Sequence, residues 1–293
     1  MQFPGLSVTA SGGFRISLLL RGLLIVALFA IAPLSEISAQ GNLLILPRRV
    51  VFEGAMKSQE LTLANPGNDS ATYVVSIVQM RMKDDGSFEV VTLPDSGQLF
   101  ADKYLRFYPR TVKLPPKKSQ VVKMQFVKSA KMTPGEYRSH IYFRAIPKYK
   151  VRGEEEKNSD TGAVTAKLTP VFGITIPVII RIGEQNTQVS LDNLAFEVQN
   201  DTVPKLKLNF VRTGNFSVFG DILVKHISDQ GKETKVASVK GIAVYTPNLL
   251  RKFQCNLERI PGIDYKSGKL TVVYSTPVDT KIQKLATAEL ILK

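Results

Sequence analysis

Residues 163–182, AVTAKLTPVFGITIPVIIRI, alternate more regularly than any other stretch of the chain. The even positions run Val164, Ala166, Leu168, Pro170, Phe172, Ile174, Ile176, Val178, Ile180 and Ile182, whereas most odd positions are small, polar or charged. Successive side chains of a strand point to opposite faces, so a period of two predicts one almost wholly apolar face. The stretch is roughly three times the usual strand length of about 5–6 residues. Proline cannot donate to a ladder, which places Pro170 and Pro177, and part of this strand, on a sheet edge. An exposed apolar edge invites pairing with another chain. Such a sequence folds into β-structure, and its exposed apolar edge is a hazard unless something is meant to pair with it.

The N-terminus reads as an export signal over residues 1–39. Arg15 and Arg21 precede an apolar run over 23–34, and Ile37-Ser38-Ala39 makes a cleavage site before Gln40. A transmembrane anchor is the competing reading, but the run is shorter than the roughly 18–20 residues a span needs. It closes at Pro33, Ser35 and Glu36. No cysteine follows the signal in the position of a lipoprotein anchor, and Cys255 is the only cysteine, so no internal disulfide forms. Cys255 is expected as a small core residue. Stability must then come from burial, for which a 44% hydrophobic composition suffices.

The net charge of +14 raises nucleic acid as a partner. The lysines and arginines are spread along alternating strands, with no basic helix and no aromatic-basic cluster, and an exported protein rarely meets DNA. A basic surface facing anionic lipid or acidic protein, or serving solubility alone, fits the pattern.

Strand patterns recur over 43–52, 58–64, 71–80, 105–113, 120–127 and 137–146 before the long strand. Asn65-Pro66-Gly67-Asn68, Asp84-Asp85-Gly86 and Pro134-Gly135 punctuate them as turns. About seven strands at this spacing predict an immunoglobulin-like sandwich over residues 40–183. The charged segment 148–162, without apolar period, reads as a loop leading into the long strand. After a linker at 183–187, strands over 188–198, 206–211, 219–226, 235–244, 252–257, 269–274 and 285–292 predict a second β-sandwich over 187–293. The expected fold class is all-β, two immunoglobulin-like sandwiches in tandem, with no helix of normal length.

Catalytic chemistry is not legible. Ser139 and His140 are adjacent, which points them to opposite faces of a strand. No HExxH, CxxC, phosphate-cradling glycine loop or acidic metal cluster is present, and Glu154-Glu155-Glu156 reads as a solvated charge run. The expectation is a non-enzyme with no cofactor, no metal, no catalytic residue, no small-molecule substrate and no nucleic-acid partner.

The order of motifs resembles the two-domain, PapD-like periplasmic pilus chaperones. Arg49-Val50-Val51-Phe52-Glu53-Gly54, followed by Lys57-Ser58 and Leu61-Thr62-Leu63-Ala64-Asn65, is similar to that family's opening strand pair. Tyr108-Pro109-Arg110-Thr111-Val112-Lys113-Leu114-Pro115-Pro116-Lys117 resembles its proline-bounded central strand. Tyr137-Arg138-Ser139-His140-Ile141-Tyr142-Phe143, ending at Ile146-Pro147, resembles the strand before its mobile loop, and Ile263-Asp264-Tyr265 before Leu270-Thr271-Val272 resembles a second-domain signature.

The resemblance implies a periplasmic chaperone that lends an edge strand to an incomplete pilin-like or other β-rich secreted subunit, with an outer-membrane usher as a further candidate partner. The lent positions are Val164, Ala166, Leu168, Pro170 and Phe172. Arg49 matches the arginine that grips the subunit's terminal carboxylate, with Arg48 as a second candidate, and a guanidinium donates two parallel bonds to such a group. Pro177 stands where the family carries a lysine. Arg181 and Asp264 match an interdomain pair. The alternative is a structural or adhesive envelope protein with the same sandwiches and no chaperone cycle.

Overall fold

The computed structural model describes residues 43–147, 171–200, 202–277 and 282–292. The expected signal over 1–39, the loop at 148–162, and Val164, Ala166, Leu168 and Pro170 lie outside the described residues.

The first half builds β1 (Leu44–Leu46), β2 (Val50–Phe52), β3 (Ser58–Ala64), β4 (Ala71–Val78), β5 (Met80–Met82) and β6 (Phe88–Val90). It continues with β7 (Leu105–Tyr108), β8 (Thr111–Leu114), β9 (Ser119–Phe126), β10 (Gly135–Ala145) and β11 (Gly173–Ile182). Two sheets, in the orders β1-β3-β9-β7 and β2-β11-β10-β4-β8, enclose one core. Alternation drives the packing. In β9, Val122 and Met124 are buried while Val121 and Lys123 are exposed, and in β3 Leu61 and Leu63 are fully buried, with Leu61 directly across from Val122. The only helical turn among the described residues is a 3-10 turn at Asp102–Tyr104.

Two expected strands prove to be pairs. The segment 43–52 breaks at Pro47 and Arg48, so that β1 joins one sheet and β2 the other. The segment 105–113 breaks at Pro109, with β7 and β8 likewise in opposite sheets. In both places a proline, which has no N–H to donate, coincides with the point where the chain leaves a ladder. The hairpin of β5 and β6, with Met80 opposite Val90, was legible only as the turn at 84–86.

The second half builds β12 (Gln188–Gln199), β13 (Val203–Thr213), β14 (Val218–Ile227), β15 (Glu233–Val244), β16 (Leu250–Asn256), β17 (Lys269–Ser275) and β18 (Lys284–Ile291). Sheets ordered β12-β13-β16 and β15-β14-β17-β18 enclose a second core. β13 buries Pro204, Leu206, Leu208 and Phe210 on one face. At the end of that face stands Arg212, only 2% exposed. Its guanidinium donates to the carbonyls of Asn248 (2.9 Å), Gly214 (2.8 Å) and Phe216 (3.0 Å), which is how a charge is tolerated there. Cys255 on β16 is half-buried against this core, and burial pushes its thiol up to about 11.

β11 serves both sandwiches. Ile176, Val178 and Ile180 belong to the first core. Ile179, on the opposite face, belongs with Met82 and the flanking Val51 to the second.

Candidate functional site

Two features of β10 and β11 stand out, an arginine-rich junction and an open strand edge. β10 turns Tyr137, Ile141 and Phe143 into the first core, which sends Glu136, Arg138 and His140 to the opposite face. All three are 3% exposed, because the second sandwich covers that face. Glu136 lies directly across from Arg181 of β11. Its Oε2 accepts from the Ser217 amide (2.9 Å), the Ser217 hydroxyl (2.8 Å) and Arg181 Nε (3.2 Å), and its Oε1 accepts from Thr246 Oγ1 (3.3 Å). Arg181 Nη2 donates to the Ser217 carbonyl (2.8 Å), and its Nη1 reaches Glu53 at 3.4 Å.

Arg181 therefore joins the two sandwiches, but not through Asp264. Asp264 is exposed in a surface turn, where its Oδ1 accepts from the Lys266 amide at 2.9 Å. The partner expected at Asp264 is supplied instead by Glu136, which faces Arg181 across one ladder rung.

Arg49 enters the same junction from the segment before β2. Its Nη2 donates to Ser217 Oγ (3.2 Å), and its guanidinium carbon sits 4.7 Å from the Phe219 ring centroid and 5.9 Å from that of Tyr245. Arg138 lies on the same Tyr245 ring at 4.4 Å and donates to the Thr246 carbonyl (3.3 Å). Arg48, by contrast, is exposed. Burial lowers the guanidinium pKa of both Arg49 and Arg138, partly offset by Tyr245 and Glu136. Arg49 Nε and Arg138 Nε and Nη1 are buried without an acceptor among the described residues. Three arginines thus surround one buried carboxylate, and unspent donors of this kind suit a further anionic acceptor.

His140 packs edge-on against Phe88, with 5.4 Å between ring centroids. Burial, together with the charge of Arg138, pushes its pKa down to about 3, so the ring is neutral near pH 7. Ser139 faces the other way: its Oγ donates to Gln79 Oε1 (2.7 Å) and accepts from the amides of Ala101 and Asp102. Among the described residues no three His, Cys, Asp or Glu side chains gather as metal ligands, and no helix is long and apolar enough to cross a membrane.

The open edge follows from hydrogen-bond phase. The Ala145 amide donates to the Phe172 carbonyl (2.9 Å), and the β10–β11 register continues this phase through Ile174, Ile176, Val178 and Ile180. In an antiparallel ladder the alternate residues then aim their N–H and C=O groups at the other side. Those are Gly173, Thr175, Pro177, Ile179 and Arg181. β2 pairs in parallel only with Val178, Ile179 and Ile180, so among the described residues nothing pairs with the backbone groups of Gly173 and Thr175 on that edge. Pro177 stands at the handover, where the missing N–H withdraws no bond from β10. Beside this edge Val171 and Phe172 are exposed, the latter at 51%. Tyr142 lays its ring across Gly173: a Cβ there would come within 2.3 Å of Tyr142 Cε2.

Of the expected site residues, the structure brings Arg49 and Arg181 together around Ser217 and Glu136, leaves Arg48 and Asp264 at the surface, and puts Phe172 at the start of the open edge. Glu136, Arg138 and Ser217 were not legible as site residues. In sequence, the charged positions of GEYRSHIYFRA look like the solvent face of an amphipathic strand. Nothing in a strand's own period tells that another sandwich covers it.

No protein-family model and no curated protein matches the sequence. Among solved structures the chain is similar to the YadV chaperone, at 12% identity and a TM-score of 0.42, over 86% of this chain and 100% of that one. It is similar to the CupB2 chaperone of Pseudomonas aeruginosa, at 12% identity and TM-score 0.42, over 85% and 100% of the two chains. It is also similar to a chain of the CsuC–CsuE chaperone–tip adhesion subunit complex of Acinetobacter baumannii, at 12% identity and TM-score 0.42, over 84% and 99%. The two-sandwich architecture stands on the chain's own sheets and cores.

Proposed function

We propose that the protein is a periplasmic chaperone, exported by a signal over 1–39, that caps an incomplete β-rich subunit by strand addition. Its working parts are a strand-lending sandwich over 40–183 and a second sandwich over 187–293. The observation that carries this reading is the edge of β11 at Gly173 and Thr175, bonded to β10 on one side and, among the described residues, open on the other. Main-chain groups on an open edge supply affinity for an extended segment, and alternating side chains supply selectivity. Phe172, continued by Pro170, Leu168, Ala166 and Val164, presents its apolar face to the open core of a pilin-like subunit. Arg49, by its guanidinium, holds the subunit's terminal carboxylate, and Arg48 guides the approach from the surface. The loaded complex is delivered to an outer-membrane usher.

Co-purification from periplasm tests this. The wild-type chain should bring down a stoichiometric small β-rich partner, Phe172→Glu should lose it while staying folded, and Arg49→Ala should weaken it. Retention of the partner by Phe172→Glu sinks the strand-lending role.

A structural or adhesive envelope protein is the second reading. It is favoured by the way Arg49 is already engaged with Ser217, Phe219 and Tyr245, a setting that suits an interdomain joint without any ligand. The absence of any stoichiometric partner in the same pull-down supports it.

A further inference from the structure

We propose that the β5–β6 hairpin is a strap that fixes the angle between the two sandwiches, so that they move as one body. The hairpin leaves the first sandwich after β4 and ends in contacts with the second. Met82 is 2% exposed within the second core. Its carbonyl accepts from Asn248 Nδ2 at 2.9 Å. The Asp84 carbonyl accepts from the Lys252 amide at 2.6 Å, which adds a main-chain bond to β16. Gly86 lies against the Arg251 guanidinium, and Phe88 against the Tyr245 ring at 6.0 Å between centroids.

The hairpin is itself held. Arg81 grips Asp95 with both Nε and Nη2 and reaches Glu89 with Nη1, while Gln98 Nε2 and Arg138 Nη2 both donate to the Met80 carbonyl. A two-stranded hairpin alone in water is marginal, so these ties are what give it stiffness.

Attachment points decide what the strap does. Glu136 and Arg181 bind Ser217, the residue before β14, in the sheet β15-β14-β17-β18. The tip of the hairpin binds β16, in the other sheet of the same sandwich, while Phe88 meets Tyr245 at the end of β15. One line of contacts permits rotation about itself, whereas a second line on a separate layer blocks that rotation. Domains joined by small polar interfaces move relative to each other by default. Here the second anchor removes the hinge, and the angle between the sandwiches is set before any partner arrives.

The inference is independent of the chaperone reading and is tested on the free protein. Cys255→Ser removes the native thiol, and Gln125→Cys with Ser238→Cys places one spin label on each sandwich. Electron-electron distance measurements should give a single narrow distribution. Deletion of Asp85 and Gly86, which withdraws the tip of the hairpin from β16, combined with Asn248→Ala should widen it roughly twofold, the behaviour of domains released from a shared interface. Amide protection in each core reports that both sandwiches remain folded. If the combined variant does not fold, the deletion alone decides in the same way, since Asp85 and Gly86 lie outside both cores. A wild-type distribution as broad as the variant's, or a variant as narrow as wild type, overturns the strap.

Discussion

Glu136 Oε2 accepts from both the amide and the hydroxyl of Ser217, at 2.9 and 2.8 Å, across the boundary between two sandwiches. A single side chain of β10 thereby satisfies a backbone donor of the neighbouring unit and neutralises part of an arginine cluster. Removing its charge leaves Arg49, Arg138 and Arg181 facing one another with less compensation. Breaking a buried ion pair by deleting one partner costs about 3–5 kcal/mol. Glu136→Gln, which keeps the shape, should cost about 3 kcal/mol in urea denaturation by the same argument. A loss under about 1 kcal/mol, the range of exposed pairs, would place the carboxylate outside the stabilising network.

Arg181 and Asp264 should separate cleanly in the same assay. Arg181→Ala forfeits the bonds to Glu136 and to the Ser217 carbonyl, at a cost of about 2 kcal/mol for hydrogen bonds to charged groups. Asp264→Ala should leave the midpoint unchanged, since its contact is local to a surface turn. Equal effects at the two positions would restore the expected pair.

His140 gives the fold an acid-sensitive component. The unfolded imidazole titrates near about 6.5, and in the fold burial and Arg138 push it down to about 3. Between those values the unfolded chain binds a proton that the folded chain refuses. The contribution is complete above the unfolded value and shrinks as pH falls, by at most about 1.4 kcal/mol per pH unit. His140→Phe should flatten the stability profile between about pH 6 and pH 4 relative to wild type. Parallel profiles for the two proteins count against it.

Gly173 and Tyr142 should behave as one unit. A methyl group at 173 collides with the far end of the Tyr142 ring, which must swing aside. Gly173→Ala should cost about 1 kcal/mol, as overpacking does. In the Tyr142→Ala background the same substitution should be nearly free, and a double-mutant cycle reads the coupling. Additive effects would mean that the ring and the glycine do not support each other.

How much of this was readable beforehand depends on which surface a residue faces. The all-β class, both sandwiches and most strand positions follow from alternation, and the apolar rows of β3, β9 and β13 landed on core faces as read. The breaks at Pro47 and Pro109 were not read, because the segments 43–52 and 105–113 keep an apolar pattern through the proline and the choice of sheet is set by pairing with distant strands. Alternation over 163–182 predicts one apolar face; only the structure puts both faces of β11 to use, giving Ile179 to the second core and its even-numbered neighbours to the first. The burial of Glu136, Arg138 and His140 was not legible because it is conferred by residues distant in sequence, such as Phe88, Ser217 and Tyr245. Asp264 was misassigned by motif analogy, since proximity in a motif carries no information about side-chain reach.

The divided loyalty of β11 has a consequence for slippage. Moving a strand by one residue exchanges its two faces. In most strands that exchange spoils one core and wets the other side. In β11 it would withdraw Ile176, Val178 and Ile180 from the first core and Ile179 from the second in a single step. A one-residue slip is therefore opposed from both sides at once, and the register of this single strand fixes the packing of two sandwiches together.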